Sequence, residues 1–366
     1  MSHNSDPMRS AICSAVQQTS VNCPMKLPRV VYVDPKRAHH CCNVRWHALR
    51  SIQPFRPDRM GICLATEILI KPRTQSWRIT VCAIVGAYLA LGVATNSIRS
   101  YHWFMLLAVP FSVLSGERGR QFFADWSPLF AFWLVYDRLR LIQPLLYSHV
   151  AVSQPFEIER WAFGWMASGA APAHAAHAWL ASSTSALAVI VRWSVQAIYF
   201  SHLFFVPALI CVIWLAGRRS EHSRELFKRF VRAFTILNFS AIAIYLLLPV
   251  APPWWVTLNG MEQPDIENVA QVNMTAAMNG VLIQGMIRNA SQWFAAVPSL
   301  HGAYPVLLLL LLRREVSRLV LAALALYGAA MWCATVVLNQ HYIVDLMAGA
   351  ALAIAAWWIE RRIKKE

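Results

Sequence analysis

Two short motifs near the C-terminal end carry residue types and spacings that can do chemistry. They are P-S-L-H, Pro298 to His301, and H-Y-I-V-D, His341 to Asp345. In the second, a His and an Asp stand at i and i+4, which on a helix puts both side chains on one face with Cβ atoms roughly 5–6 Å apart. The carboxylate then holds one imidazole nitrogen, fixes the tautomer and leaves the other nitrogen's lone pair free as a nucleophile or base. An Asp near the end of a membrane helix is costly without such a partner. Two apolar runs joined by Arg313 to Arg318 separate the histidines, so the chain enters the membrane, returns, and ends with both at one face. Two histidines at one depth, the second backed by an acid, suit a reaction in which one attacks while the other protonates a leaving oxygen. The competing reading, that each caps a helix or meets lipid headgroups, suits a lone His better than this joint arrangement.

Other residues are candidates for holding a phosphate. Ser299 sits where a helix begins, so its hydroxyl and the nearby N–H groups can cap that helix or receive a phosphate oxygen. Tyr136, Asp137, Arg138 and Arg140 form Y-D-R-L-R within an apolar run, where ionisable groups face a bundle interior or a water-filled cavity. The arginines offer fixed positive forks for phosphate, and a purely structural Asp137–Arg pair is the alternative. His202, in Y-F-S-H-L, fits a bundle hydrogen bond as readily as a substrate contact. Arg288, before P-S-L-H, is placed to reach a phosphate or a lipid headgroup.

The elements that must position these groups are membrane helices. Of the 366 residues 57% are hydrophobic and 14% charged. That charged fraction is far below the roughly 25% of soluble domains. A mean hydropathy of +0.43, with 16 Trp, 17 Phe and 10 Tyr, points to a polytopic membrane protein. The formal charge of +15 is spread through short loops that orient helices, so nucleic acid is not implied as a partner. The His39-His40-Cys41-Cys42 run is too contiguous to converge on one metal ion. Cys82, Cys211 and Cys333 lie inside apolar runs and the other five cysteines precede the first, so no disulfide framework is indicated.

Residues 1–77 read as a basic, disordered preface, with a more conventional start at Met60. From there the pattern predicts an all-α, polytopic bundle of six to eight transmembrane helices over 78–360, followed by a basic cytoplasmic tail at 361–366. Candidate spans are 78–97, 101–116, 127–147, 193–216, 231–249, 301–313, 317–338 and 342–359. Arginine-rich loops at 118–120, 218–232, 313–318 and 361–365 belong on the cytoplasmic side, which leaves 148–192, 250–300 and 339–341 on the other face. The 148–192 loop suggests short interfacial helices. P-V-A-P-P-W-W, Pro249 to Trp255, is expected to stop a helix and set two indoles at headgroup depth, a direct substrate role for either Trp being the alternative.

P-S-L-H followed by H-Y-I-V-D-L-M-A-G resembles the second and third signature blocks of the type-2 phosphatidic acid phosphatase/haloperoxidase superfamily. Y-D-R-L-R, I-E-R-W (Ile158 to Trp161), Y-F-S-H (Tyr199 to His202) and P-V-A-P-P-W resemble its inositolphosphotransferase branch, which includes the inositol phosphorylceramide synthases. The resemblance covers about residues 127–360 and implies a phosphatidic-acid-phosphatase-like helical core and two-step transfer through a phosphohistidine. On matching positions it makes His341 the nucleophile, Asp345 its orienter and His301 the acid. The chain departs from the superfamily where Ala334 and Thr335 replace a Ser-Arg pair. The block K-x6-R-P is also missing, Arg50 to Pro57 being a decoy one residue too short. Arg138, Arg140 and Arg288 are then the substitute phosphate ligands.

These expectations describe an integral membrane enzyme of the plasma membrane, with an extracytoplasmic site and no metal or other cofactor. Its partners are a lipid phosphate and an alcohol or water acceptor. A lipid-phosphate or polyprenyl-diphosphate phosphatase is the rival within this chemistry, and a transporter or structural membrane protein is the rival outside it.

Overall fold

A computed structural model describes residues 76–272 and 291–363. They belong to one compact unit, Pro72–Glu366. The expectations for residues 1–75, including the start at Met60, and those for Arg288 and the last three residues lie outside the described chain. Within it the elements are helices, and extended backbone is limited to isolated bridges from Val250 to Ala151 and to Ala295.

The helices in chain order are α1 (Ser76–Ala94), α2 (Ala108–Leu114), α3 (Gly116–Arg138), α4 (Ser153–Phe163), α5 (Pro172–Ser182) and α6 (Ala186–Gly217). They continue with α7 (Glu221–Leu247), α8 (Pro253–Asn259), α9 (Ile266–Ala270), α10 (Leu300–Leu312), α11 (Arg318–Val337) and α12 (Ile343–Ile363). Five of them, α1, α6, α7, α11 and α12, are long and apolar enough to cross a membrane. α10 is equally apolar but has 13 residues, about 20 Å at 1.5 Å per residue against a hydrocarbon core of about 30 Å. With α10 counted, the described residues reach the lower end of the expected six to eight.

Two expected spans differ in the structure. Residues 101–116 are not one helix: a 3₁₀ segment, Ser100–Leu107, gives way to the seven-residue α2. Pro110 lacks the N–H a continuous helix would use, and Gly116 turns the chain at a φ of +53°. The span expected at 127–147 instead begins at Gly116 and ends at Arg138, after which 3₁₀ turns run to His149. The 148–192 segment holds the short helices α4 and α5, although α6 starts at Ala186, capped by Ser185.

Serines open the helices of the core: Ser220 caps α7, Ser299 caps α10 and Ser317 caps α11, each accepting an N–H of the first turn. Inside the bundle, Phe227, Phe230 and Leu237 of α7 pack with Leu307 and Leu311 of α10 and Ala353 of α12. Arg313 follows α10 directly, and Arg361 and Arg362 lie in the last turn of α12. His301 and His341 stand at the other ends of those two helices.

Trp254 and Trp255 are not membrane-boundary markers. They are 2% and 0% exposed and pack with Phe294 and Met331 in a second core. The prolines before them start α8 and fold it back onto the protein, and Trp254 N–H donates to the Asn339 carbonyl at 3.0 Å. Exposed indoles of this end include Trp161, Trp165, Trp179 and Trp193.

Candidate active site

The site is built where α10 crosses α12. A Cβ on Gly302 would stand 2.6 Å from the Leu346 carbonyl oxygen, and one on Gly349 would stand 2.0 Å from that of Ser299. Two glycines therefore let the backbones approach as small residues do in membrane interfaces. The Ser299 N–H donates to the Asp345 carbonyl at 3.0 Å across this crossing. Ser299 is fully buried, and its hydroxyl accepts the Gly302 N–H at 3.3 Å. Tyr245 of α7 donates to the Pro298 carbonyl at 2.8 Å and fixes the approach to α10.

This crossing brings the two histidines together. His301 Nδ1 lies 3.1 Å from His341 Nε2. His341 Nδ1 lies 3.5 Å from Asp345 Oδ2, an ion-pair distance rather than a formed hydrogen bond. His341 is not on α12, as the i, i+4 spacing suggests, but in the turn before it. Its N–H faces the Thr335 carbonyl at 3.4 Å, where α11 ends. Tyr342 is the N-cap, and Asp345 Oδ2 accepts the Tyr342 N–H at 2.8 Å, the returning half of a capping box. One carboxylate thus starts the helix and faces His341. A proton on His341 Nδ1 towards Asp345 leaves the Nε2 lone pair towards His301, the assignment that these partners favour.

His301 is enclosed by aromatic rings of α6. Tyr199 stacks on it at 4.8 Å with planes 25° apart, and His202 meets it edge-on at 4.5 Å. The His202 Nδ1 bonds to the Tyr199 carbonyl, which fixes that ring. His202, His301, His341, Asp345 and Ser299 are therefore brought together.

Asp137, Arg138 and Arg140 of Y-D-R-L-R form a second network. Buried Asp137 accepts from Tyr88, Arg140 and Ser291, and faces His102 Nε2 at 3.1 Å. Arg140 also reaches Ser291 Oγ at 3.1 Å, eight residues before Ser299. Arg138 donates to Ser97 Oγ at 2.7 Å and to the Tyr88 carbonyl at 2.9 Å, with its guanidinium over the Tyr88 ring at 3.8 Å. Tyr136 packs on Phe132 and interacts electrostatically with Tyr199 and Tyr245 beside the histidines. Arg138 thus ties α1 to α3, whereas Arg140 links α3 to the segment that leads into the site.

Glu159, from I-E-R-W, was not singled out by its sequence position. Its side chain is fully buried and accepts the Ile343 and Val344 N–H groups at 3.1 and 3.2 Å. Burial pushes its carboxyl above the usual range, against the opposing pull of those two N–H groups. His174 of α5 bonds the Pro253 carbonyl and meets the Tyr342 ring edge-on. Burial pushes its imidazole below the ordinary value, and that of His177 likewise.

Paired histidines backed by an acid, at one end of a helical membrane bundle, define a phosphoryl-transfer class, and comparison agrees. Residues 167–359 match the family model described as the PAP2 superfamily, and the chain belongs to that superfamily. It is 29% identical over 291 residues to a phosphoinositol dihydroceramide synthase of Bacteroides thetaiotaomicron, covering 76% of this chain and 90% of that one. It is 28% identical over 182 residues to an inositol phosphorylceramide synthase of Candida albicans, covering 49% of this chain and 37% of the relative. The catalytic subunit AUR1 of the Saccharomyces cerevisiae inositol phosphorylceramide synthase is 26% identical over 181 residues, 48% of this chain and 42% of its own. The chain thus spans less than half the length of these fungal relatives. No solved structure matches it. The protein is a membrane enzyme of the phosphotransferase and phosphatase chemistry of this superfamily.

Proposed function

We propose that the protein transfers a phosphoinositol head group from an inositol phospholipid to the hydroxyl of a ceramide-type lipid, through a phosphohistidine on His341. The observation that carries this reading is the His301–His341 contact with Asp345 behind it. The similarity to the Bacteroides synthase over 76% of the chain supplies the substrate class.

In the first step the donor's phosphate parts the two rings, and its negative charge favours the protonated form of His301. His341 Nε2 attacks phosphorus as the bond to the diacylglycerol oxygen breaks, and His301 gives that oxygen its proton. In the second step His301 takes the proton of the acceptor hydroxyl, whose oxygen attacks phosphorus as the P–N bond breaks. Positive charge for the phosphoryl oxygens comes from Arg140 and from Arg288, which lies outside the described residues, with the Ser299 hydroxyl and the first N–H groups of α10 as donors. In this reading Arg138 holds α1 on α3, and His202 and Tyr199 shape the substrate side of His301. The positive-inside rule assigns the arginine-rich ends of α10 and α12 to the cytoplasm, which supports a site at the extracytoplasmic face of the plasma membrane.

The test is incubation of purified protein with labelled inositol phospholipid, with and without ceramide, followed by mass spectrometry. Wild type should form phosphoinositol ceramide and diacylglycerol, and His341→Ala should form neither. Release of inositol phosphate and diacylglycerol alone in the presence of ceramide would make the protein a lipid phosphodiesterase that takes water as its acceptor. The absence of any His341-dependent product would remove the enzymatic reading.

A further inference from the structure

Glu159 takes no part in the reaction as written, yet it touches the helix that carries Asp345. It reaches across 184 residues of sequence to the first turn of α12. Its neighbours Glu157, Ile158, Arg160 and Trp161 are exposed, whereas Glu159 is not. The first N–H groups of a helix have no partner within it. At α12 the N-cap N–H goes to Asp345, and the next two go to the two oxygens of Glu159. Two carboxylates from distant parts of the chain therefore complete one helix start, and His341 is the residue immediately before it.

We infer that Glu159 is a positioning residue for His341: its carboxylate fixes the first turn of α12 and thereby the turn that presents the imidazole. The inference rests on the phosphoryl-transfer reading of His341. A carboxylate is suited to this role because each oxygen accepts one N–H, and an anion at a helix N-terminus is favoured by the helix dipole. A glutamine would keep one acceptor and set its amide donor against the other N–H. Glu159 meets the backbone of α12 and not the imidazole itself, so its effect on His341 passes through the first turn of the helix.

The experiment compares Glu159→Gln and Glu159→Asp with wild type in full-length protein, by steady-state kinetics and by hydrogen exchange of peptides covering 341–347. For Glu159→Gln, kcat should fall about 10-fold or more with KM within about twofold, the pattern of lost transition-state alignment. Exchange at 343 and 344 should quicken. Glu159→Asp keeps the charge but shortens the reach, so kcat should fall with KM again within about twofold. Unchanged kcat in Glu159→Gln would overturn the inference, as would lower protein yield with normal turnover per folded molecule. If Glu159→Gln does not fold, Glu159→Asp decides: wild-type kcat and exchange would overturn the inference. If wild type itself turns over no lipid, the functional reading fails. The exchange result then decides by itself, and unchanged protection at 343 and 344 overturns the positioning role.

Discussion

Gly349→Ala probes the crossing that makes the site. The added methyl would stand 2.0 Å from the Ser299 carbonyl oxygen and 3.2 Å from the Ala303 nitrogen. Closest C–H···O approaches are about 3.3 Å, so α10 and α12 must separate locally by about 1.3 Å. That movement draws Ser299 off the Asp345 carbonyl and His301 off His341. A misplacement of about 1 Å at reacting groups costs on the order of 100-fold in rate, and overpacking of this kind costs about 1–3 kcal/mol of stability. We expect kcat of Gly349→Ala to fall about 100-fold, with a lower thermal midpoint and a dispersed but folded protein in detergent. Gly86→Ala is the control: nothing lies within 4 Å of its Cβ position in α1. There the change should leave kcat alone and stabilise the helix by up to about 1 kcal/mol. Turnover and melting are measured on both variants. A Gly349→Ala enzyme within twofold of wild-type kcat would refute the close-crossing argument.

Further expectations concern the polar groups. Asp345→Asn keeps the shape but loses the anion that faces His341 Nδ1, so kcat should fall about 10²- to 10⁴-fold at constant substrate affinity, as steady-state kinetics would show. Arg140→Gln should lower kcat about 100-fold if its guanidinium meets the phosphoryl oxygens; a stability loss with normal kcat would make Asp137–Arg140 purely structural. Tyr245→Phe breaks the bond to the Pro298 carbonyl and should cost about 1 kcal/mol in chemical unfolding. The lowered folded-state values of His174 and His177 mean that both favour folding when neutral. That contribution is present above the ordinary value of 6.5 and is lost as pH falls below it towards the lowered value. The thermal midpoint should therefore fall between pH 7 and 5, and less steeply in His174→Phe.

The parts of the site that lie close in sequence were legible. P-S-L-H and H-Y-I-V-D are local patterns, and a return trip through two apolar runs is enough to bring His301 and His341 to one face. Ser299 as a helix start followed from its residue type and its place before an apolar run. What the sequence hid depends on long-range packing. Gly302 and Gly349 look like ordinary small residues in apolar runs until the two backbones are seen in contact. Glu159 looks like one acid among several in an interfacial segment, and its N–H partners are 184 and 185 residues away. Trp254 and Trp255 mislead because an indole after prolines at a helix end suits the membrane interface and a protein core equally well. The broken segment at 100–114 shows the limit of counting apolar residues: hydropathy registers Pro110 weakly, but the missing N–H interrupts the helix.

The central claim is that the head group passes through His341 and not directly from lipid to lipid. A donor made chiral at phosphorus with sulfur and oxygen isotopes tests this most directly, with the configuration of the product read by phosphorus NMR. Two displacements, one onto His341 and one onto the acceptor oxygen, give net retention, which the His301–His341–Asp345 geometry predicts. Inversion would mean a single direct displacement and would contradict the account.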